Sequence, residues 1–330
     1  MSVNVPIWVW AVTVVGVVLV LAVDFFTVSK HPHEVRVKEA AGWSILYITL
    51  AILFGIGVFY FSGTQSGTEF FAAYLVEKSL SVDNLFVFAI ILTQFAVPAE
   101  LQQRVLLFGI ALALAMRAVF IALGAAALAA FSFTFVIFGA LLIWTGIQLA
   151  RHRNDDPNPS DNFAVRAIRK RYPFTDDYHG TALFIRRNGA RMATPMLLVI
   201  IAIGSTDLLF ALDSIPATFG VTQNAYLVFT ANAFALFGLR ALYFLLKGLL
   251  DRLIYLSLGL AAILVFIGVK LVLTWAHETW DGVPKIPTVL SLSVIVAILT
   301  IATIASLIKS RRDPTLRAHA GTLTDPDPTD

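Results

Sequence analysis

Cysteine is absent from the 330 residues of this chain, which excludes disulfides, iron–sulfur clusters and thiolate metal sites. Charged residues are also scarce, at 14%, whereas hydrophobic residues make up 58% and the mean hydropathy is +0.82. That balance excludes an ordinary soluble domain and is typical of a polytopic membrane protein. The net charge of +3 comes from basic residues in loops between apolar runs, so we expect no nucleic-acid partner.

Histidine is absent from every long apolar run. The six histidines lie in polar segments, at His31, His33, His152, His179, His277 and His319. A haem held by two histidines inside the membrane is therefore not expected. Any metal site within the membrane would have to be built from oxygen ligands.

Long hydrophobic runs dominate the chain, and nine of them can span about 30 Å of hydrocarbon as helices. We place them at 7–29, 43–62, 69–94, 104–126, 131–150, 194–220, 225–247, 253–275 and 287–308. The sequence thus predicts an all-α, polytopic membrane helical bundle. Most basic loop residues follow odd-numbered spans, so the positive-inside rule places the N-terminus outside and the C-terminus inside. The expected location is the bacterial inner (cytoplasmic) membrane.

Two polar segments interrupt this pattern. The first is a basic loop at 151–191, which is expected to be cytoplasmic and to join the two halves of one transmembrane domain at 1–312. Within that loop, 162–171 alternates apolar and basic residues, which could make a short helix on the inner membrane surface or an ordered linker. The tail, 313–330, is rich in Pro, Asp and Thr and is predicted to be disordered.

Acidic residues occur inside two apolar runs with the same spacing. Glu77 is followed by Asp83 and Asn84, and Asp207 is followed by Asp213 and Ser214. One charge at the bilayer centre costs about 2.5–3.5 kcal/mol, so four acids together cost roughly 10 kcal/mol. The simplest compensating partner that both stretches can share is a bound cation.

The acidic stretches belong to a longer repeat. The third span runs inward and the sixth outward in the predicted topology, and each is followed by a span with one arginine near its middle, Arg117 or Arg240. Inverted repeats with polar sites near the bilayer midplane are typical of secondary transporters. Each arginine is expected to pair with the carboxylates when the ion has left. Static Asp–Arg pairing between helices is the alternative interpretation.

Helical geometry separates the two acids of the third span. At 100° per residue, Glu77, Ser81 and Asn84 share one face, while Asp83 lies about 120° away. In the sixth span, Asp207 and Ser214 share a face and Asp213 lies apart.

A straight helix would not direct both acids at one ion, so either the helices are locally broken or the acids serve two sites. Pro216 favours a break in the sixth span, because it leaves the carbonyl of Leu212 without its helical donor. Asp24, near the inner end of the first span, is expected to be a solvated carboxylate. Lys78 is expected to snorkel or to pair.

The predicted ligands are carboxylate, amide, hydroxyl and carbonyl oxygens, which suit hard divalent ions such as Mn²⁺, Ca²⁺ or Mg²⁺. Asn232, near the start of the seventh span, is a further candidate ligand. Buried carboxylates can also carry protons, which would permit exchange of a divalent cation against protons. We expect no enzymatic activity and no resident cofactor. The expected partners are a divalent metal ion and the lipid bilayer, with a homo-oligomer left open.

Three segments resemble the TerC family of integral membrane proteins, which is associated with tellurium resistance and, in several members, manganese export. They are EKSLSVDNLFVF at 77–88, FALDSIPA at 210–217 and NAFALFGLRALY at 232–243. The resemblance runs from about Asp24 to the end of the eighth span and implies a helical-bundle transporter fold. It also implies metal handling by Asp83 and Asp213, with Glu77, Asn84, Asp207 and Ser214 around them. Many relatives carry Glu three residues before the Asp207 position, where this chain has Gly204.

The expected function is therefore export of Mn²⁺ from the cytoplasm in exchange for protons. A Ca²⁺ exchanger is one alternative. Another is a membrane scaffold or assembly factor that supports insertion or metal loading of other membrane proteins. The scaffold hypothesis predicts that the loop at 151–191 matters more than the intramembrane acids.

Overall fold

A computed structural model describes residues 5–30, 37–152, 163–175, 177–187, 190–246, 253–280, 282–284 and 286–312. The elements are helices α1 Ile7–Lys30, α2 Val37–Gln94, α3 Ala99–Ala130, α4 Thr134–Arg151, α5 Phe163–Arg171, α6 Pro195–Phe219, α7 Ala225–Phe237, α8 Leu239–Leu246, α9 Leu256–Thr279 and α10 Thr288–Arg312, and strands β1 Phe184–Arg187 and β2 Ala190–Ala193.

The apolar runs form helices because lipid offers no hydrogen-bond partners, so backbone groups must be satisfied within the segment. Eight helical segments in the described ranges are long and apolar enough to cross a membrane, with α7 and α8 together counting as one. This confirms the predicted class, an all-α polytopic membrane protein.

Helix α2 is a hairpin of two crossings. Its 58 residues would extend about 87 Å if straight, which is far more than a bilayer requires. Gly63 interrupts it with φ 85° and ψ 170°, a conformation that glycine adopts at little cost. Rings on opposite sides of Gly63 meet: Phe59 and Phe71 have centroids 5.9 Å apart, and Phe54 and Phe70 have centroids 5.1 Å apart. The two arms therefore correspond to the predicted second and third spans.

The direction of α1 supports the same count. Trp10, early in α1, packs against Tyr226, early in α7, with ring centroids 5.1 Å apart. Asp24, late in α1, forms an ion pair with Arg240 in α8. The first crossing thus runs parallel to the crossing made by α7 and α8. Successive crossings alternate in direction, so this parallel packing requires α2 to cross twice. Which side of the membrane holds each terminus stays a prediction.

The packed helix pairs follow the predicted repeat. The second arm of α2 packs against α7, and α3 packs against α6. These are the third crossing with the seventh and the fourth with the sixth. The predicted repeat relates the third crossing to the sixth and the fourth to the seventh, so it relates one packed pair to the other. This is the arrangement that an inverted repeat would give, although the repeat itself stays a prediction.

The loop between α4 and α6 is ordered where it is described. Val165 of α5 is fully buried, and α5 packs against α6, which agrees with the short helix considered at 162–171. The last part of the described loop forms a small two-stranded sheet. Strands β1 and β2 pair antiparallel, with Phe184 opposite Ala193. The Tyr178 hydroxyl donates to the Phe95 carbonyl at 2.8 Å, which ties the loop to the end of α2, and burial raises the pKa of Tyr178 to about 12. The predicted disordered tail, 313–330, lies outside the described residues.

Helices α4 and α9 approach each other through glycine. A Cβ added to Gly139 would lie 2.7 Å from the Gly268 carbonyl oxygen, and a Cβ added to Gly268 would lie 2.7 Å from the Gly139 carbonyl oxygen. Real Cβ atoms do not come that close to backbone, so each side chain would force the helices apart. Close backbone approach at small residues is how transmembrane helices gain packing energy in lipid.

Replacing Gly139 by alanine should therefore lower the melting temperature in detergent. We expect a loss of roughly 1–3 kcal/mol of stability, the usual cost of overpacking. Gly57→Ala is the matched control, because an added Cβ there meets nothing within 4 Å. Equal melting temperatures for Gly139→Ala and wild type would show that α4 and α9 do not touch at this point.

Candidate functional site

A single buried arginine organises the centre of the bundle. Arg117 of α3 is fully buried, and its Nε and Nη2 donate to Asp207 Oδ2 and Oδ1 at 3.1 Å each. Its Nη1 donates to the Glu77 carboxylate and to Ser214 Oγ, the latter at 3.2 Å. The guanidinium thus binds one carboxylate in bidentate geometry and a second from another helix, and such charge-assisted bidentate bonds are strong and geometrically specific.

Residues of α6 reach this arginine because of helical spacing. Asp207 and Ser214 are seven residues apart, which is close to two helical turns, and both contact Arg117. The predicted shared face is therefore present. Thr218, one turn further on, donates to Glu77 Oε2 at 3.3 Å and to the Ser214 carbonyl at 2.8 Å. Three helices, α2, α3 and α6, are tied together at this cluster.

Two glycines bring α3 and α6 close enough for these contacts. A Cβ added to Gly109 would lie 2.6 Å from Ile203, and one added to Gly204 would lie 2.5 Å from Leu112. Gly204 is the position at which many relatives are expected to carry Glu. In this chain the missing side chain leaves the space that Leu112 fills.

Asp213 lies beside the arginine cluster. It is 9% exposed and interacts electrostatically with Arg117 and Glu77. Two carboxylates, those of Glu77 and Asp207, thus bind the guanidinium directly, and Asp213 adds a third acid close to it. Glu77, Arg117 and Asp207 lie near the middle of their crossings, so the centre of the cluster lies deep in the membrane-spanning bundle, whereas Asp213 lies closer to the end of α6 at Phe219.

The other predicted ligands are placed less completely. The backbone of Asp83 is helical within α2, but its side chain lies outside the described part of the structure. Asn84 and Ser81 are buried. Asn232 of α7 is fully buried, and neither amide atom has a hydrogen-bond partner among the described residues. Within the described ranges, no three His or acidic residues form a ready metal cage.

A second buried ion pair was not predicted. Arg240 forms a salt bridge with Asp24 of α1, and its Nη1 donates to Gln103 Oε1 at 3.2 Å. Asp24 is only 5% exposed, so the expectation of a solvated carboxylate was wrong. Arg240 needs an anion within the bundle, and its guanidinium reaches Asp24 of α1 and Gln103 of α3. A search for an intramembrane acid without an assigned partner would have found Asp24.

The predicted helix break also lies elsewhere. Helix α6 continues through Pro216 to Phe219, because the proline lies in its last turn, where one missing donor has little effect. The interruption falls instead at Gly238, between α7 and α8. Lys78 pairs, as expected, with its Nζ donating to the Ala235 carbonyl at 3.1 Å near the end of α7.

Comparison with known proteins places this arrangement in a family. The model of the integral membrane protein TerC family matches residues 62–314. The chain belongs to the TerC family. An uncharacterized membrane protein of Myxococcus xanthus is 44% identical to this TerC protein over 94% of this chain and 95% of its own length. An uncharacterized membrane protein of Mycobacterium tuberculosis is 46% identical over 92% of this chain and 80% of its own length.

A third relative carries a functional name. The putative membrane-bound redox modulator Alx of Escherichia coli is 38% identical to this TerC protein, over 88% of this chain and 91% of its own length. No solved structure matches the chain.

Removing the central cation should destabilise the protein strongly. Arg117→Met leaves Glu77 and Asp207 buried without their partner, and breaking a buried pair in this way typically costs about 3–5 kcal/mol. The triple variant Arg117→Met, Glu77→Gln, Asp207→Asn removes the uncompensated charge and should recover part of the loss. Thermal unfolding in detergent measures both. A triple variant no more stable than the single one would contradict the ion-pair interpretation.

Proposed function

We propose that this TerC protein exports a divalent metal cation, foremost Mn²⁺, from the cytoplasm across the bacterial inner membrane in exchange for protons. The observation that carries the proposal is the buried cluster in which Glu77 and Asp207 bind the guanidinium of Arg117 and Asp213 lies close by. Such an excess of buried carboxylate is costly in lipid and is relieved by a bound cation or by protons.

The ligand chemistry supports a hard ion. The cluster and its surroundings offer carboxylate, hydroxyl and amide oxygens, and the chain has no cysteine. The unpartnered amide of Asn232 can supply a neutral oxygen. The preference for Mn²⁺ over Ca²⁺ or Mg²⁺ follows from the association of several TerC proteins with manganese export. Asp83 and Asp213 are the proposed direct ligands, with Glu77, Asn84, Asp207 and Ser214 around them.

Arg117 is the proposed counter-charge of the metal-free site. Its guanidinium holds Glu77 and Asp207 while no metal is bound, which keeps the buried acids at tolerable electrostatic cost. A divalent ion and this guanidinium compete for the same oxygens. Protons and metal likewise compete for the carboxylates, and this competition is the basis of exchange.

The name of the relative Alx raises redox chemistry as another activity. Reversible redox regulation in proteins commonly uses cysteine thiols. This chain contains none, so thiol–disulfide exchange on its own residues is excluded. The proposal for this chain therefore rests on ion transport.

Transport by the purified protein in liposomes tests the proposal. We expect wild type to move Mn²⁺ along an imposed proton gradient. Asp213→Asn and Asp83→Asn keep side-chain size but remove one ligand charge, and each should reduce the Mn²⁺ flux by at least the roughly 10–100-fold that loss of an outer-shell partner costs at metal sites. Glu100→Gln is the matched control, because Glu100 is exposed at the start of α3.

The same assay separates transport from assembly of other proteins. A scaffold has no client in these liposomes and would give no flux. Wild-type protein that is correctly inserted but moves no Mn²⁺ would contradict the proposal. Unchanged flux in both Asp→Asn variants would refute the ligand assignment.

A further inference from the structure

The interruption between α7 and α8 holds a cation. Lys78, on the second arm of α2, directs its Nζ at this point and donates to the Ala235 carbonyl at 3.1 Å. Ala235 lies in the last turn of α7, two residues before the helix ends at Phe237. A transmembrane helix that stops inside the bundle therefore ends against an amine from a neighbouring helix.

Gly238 makes room for that amine. A Cβ added at Gly238 would lie 3.1 Å from Lys78 Nζ and 3.4 Å from the Tyr47 Cβ. The backbone of Gly238, with φ −81° and ψ 0°, is open to any residue, so conformation does not require glycine here. Glycine is needed instead for space, because a side chain at position 238 would crowd the Lys78 amine.

The end of α7 has the electrostatic character of a cation site. Carbonyl groups at a helix C-terminus carry a partial negative charge equivalent to about half an electron. Helices that break inside transporters use such ends to coordinate monovalent cations. Asn232, three residues before Ala235 and on the same face of α7, is fully buried, and its Oδ1 has no partner in the described ranges.

The charged groups nearest to the interruption are already committed to each other. Arg240, two residues after Gly238, pairs with Asp24, and Tyr47 takes part in the same cluster. The described hydrogen bond of Lys78 is to the backbone carbonyl. Among the described side chains, the ammonium group thus acts on the helix end and not on a carboxylate.

We propose that the interruption between α7 and α8 is a monovalent-cation site, permanently filled in this protein by the Lys78 ammonium group. The lysine supplies the charge that a free Na⁺ or K⁺ would otherwise bring. Lys78 and Ala235 do not belong to the Arg117 cluster, although Asn232 is also a candidate ligand of the proposed metal site, and the role of Lys78 does not depend on the identity of the transported metal.

Thermal unfolding of the purified, metal-free protein tests this site. Lys78→Ala should melt below wild type in choline chloride. Replacing choline by Na⁺ or K⁺ at constant ionic strength should raise its melting temperature with saturation, while wild type does not respond. Lys78→Arg, which keeps the charge, should also not respond. Lys38→Ala is the matched control, because Lys38 is exposed at the start of α2.

Absence of a saturable Na⁺ or K⁺ response in folded Lys78→Ala would overturn the proposal. Lys78→Ser repeats the test with a small polar side chain. Failure to recover either variant in any of the three salts would also count against it, because the free cation should replace the lost charge. Since melting requires no transport, the result stands whether or not Mn²⁺ flux is observed.

Discussion

The arrangement of this bundle depends on neutralising charge where water is absent. Arg117 satisfies this requirement by binding Glu77 of α2 and Asp207 of α6 at once. Arg240 does so with Asp24, which joins α8 to α1. Both contacts link helices that are distant in sequence, so charge compensation also fixes which crossings are neighbours. An ion pair in lipid holds its two helices together firmly, because separating the pair leaves charges that lipid cannot solvate.

Glycine provides the distances that these ion pairs require. Bidentate binding of Asp207 by Arg117 needs the backbones of α3 and α6 to be close, and Gly109 and Gly204 allow that approach. Gly139 and Gly268 do the same for α4 and α9. Hydrophobic burial cannot select one helix pairing over another in lipid, because the tails are as apolar as the side chains. The helix pairing is therefore selected by close packing at small residues together with ion pairs at a few positions.

The sequence predicted features that depend on local spacing. Span lengths follow from membrane thickness, and the shared face of Asp207 and Ser214 follows from 100° per residue. The partner of Arg240 could not be predicted in this way, because it depends on which helices the folded bundle brings within reach of its side chain. The position of the helix break was also missed. Pro216 is a recognisable helix-breaking residue in the sequence, but it lies in the last turn of α6. Gly238 is needed because of the amine of Lys78, a contact that the sequence does not reveal.

The charge of the Arg117 cluster bears on the proposed exchange. With all groups ionised, three carboxylates and one guanidinium carry a formal charge of −3 + 1 = −2. One divalent cation or two protons would neutralise these four groups, and the carboxylate of Asp83, the other proposed ligand, would add one further negative charge. A glutamate at the position of Gly204 would add another negative charge and alter that balance. Glycine at position 204 therefore has two consequences: it lets α3 pack closely on α6, and it lowers the number of protons that the proposed exchange would use.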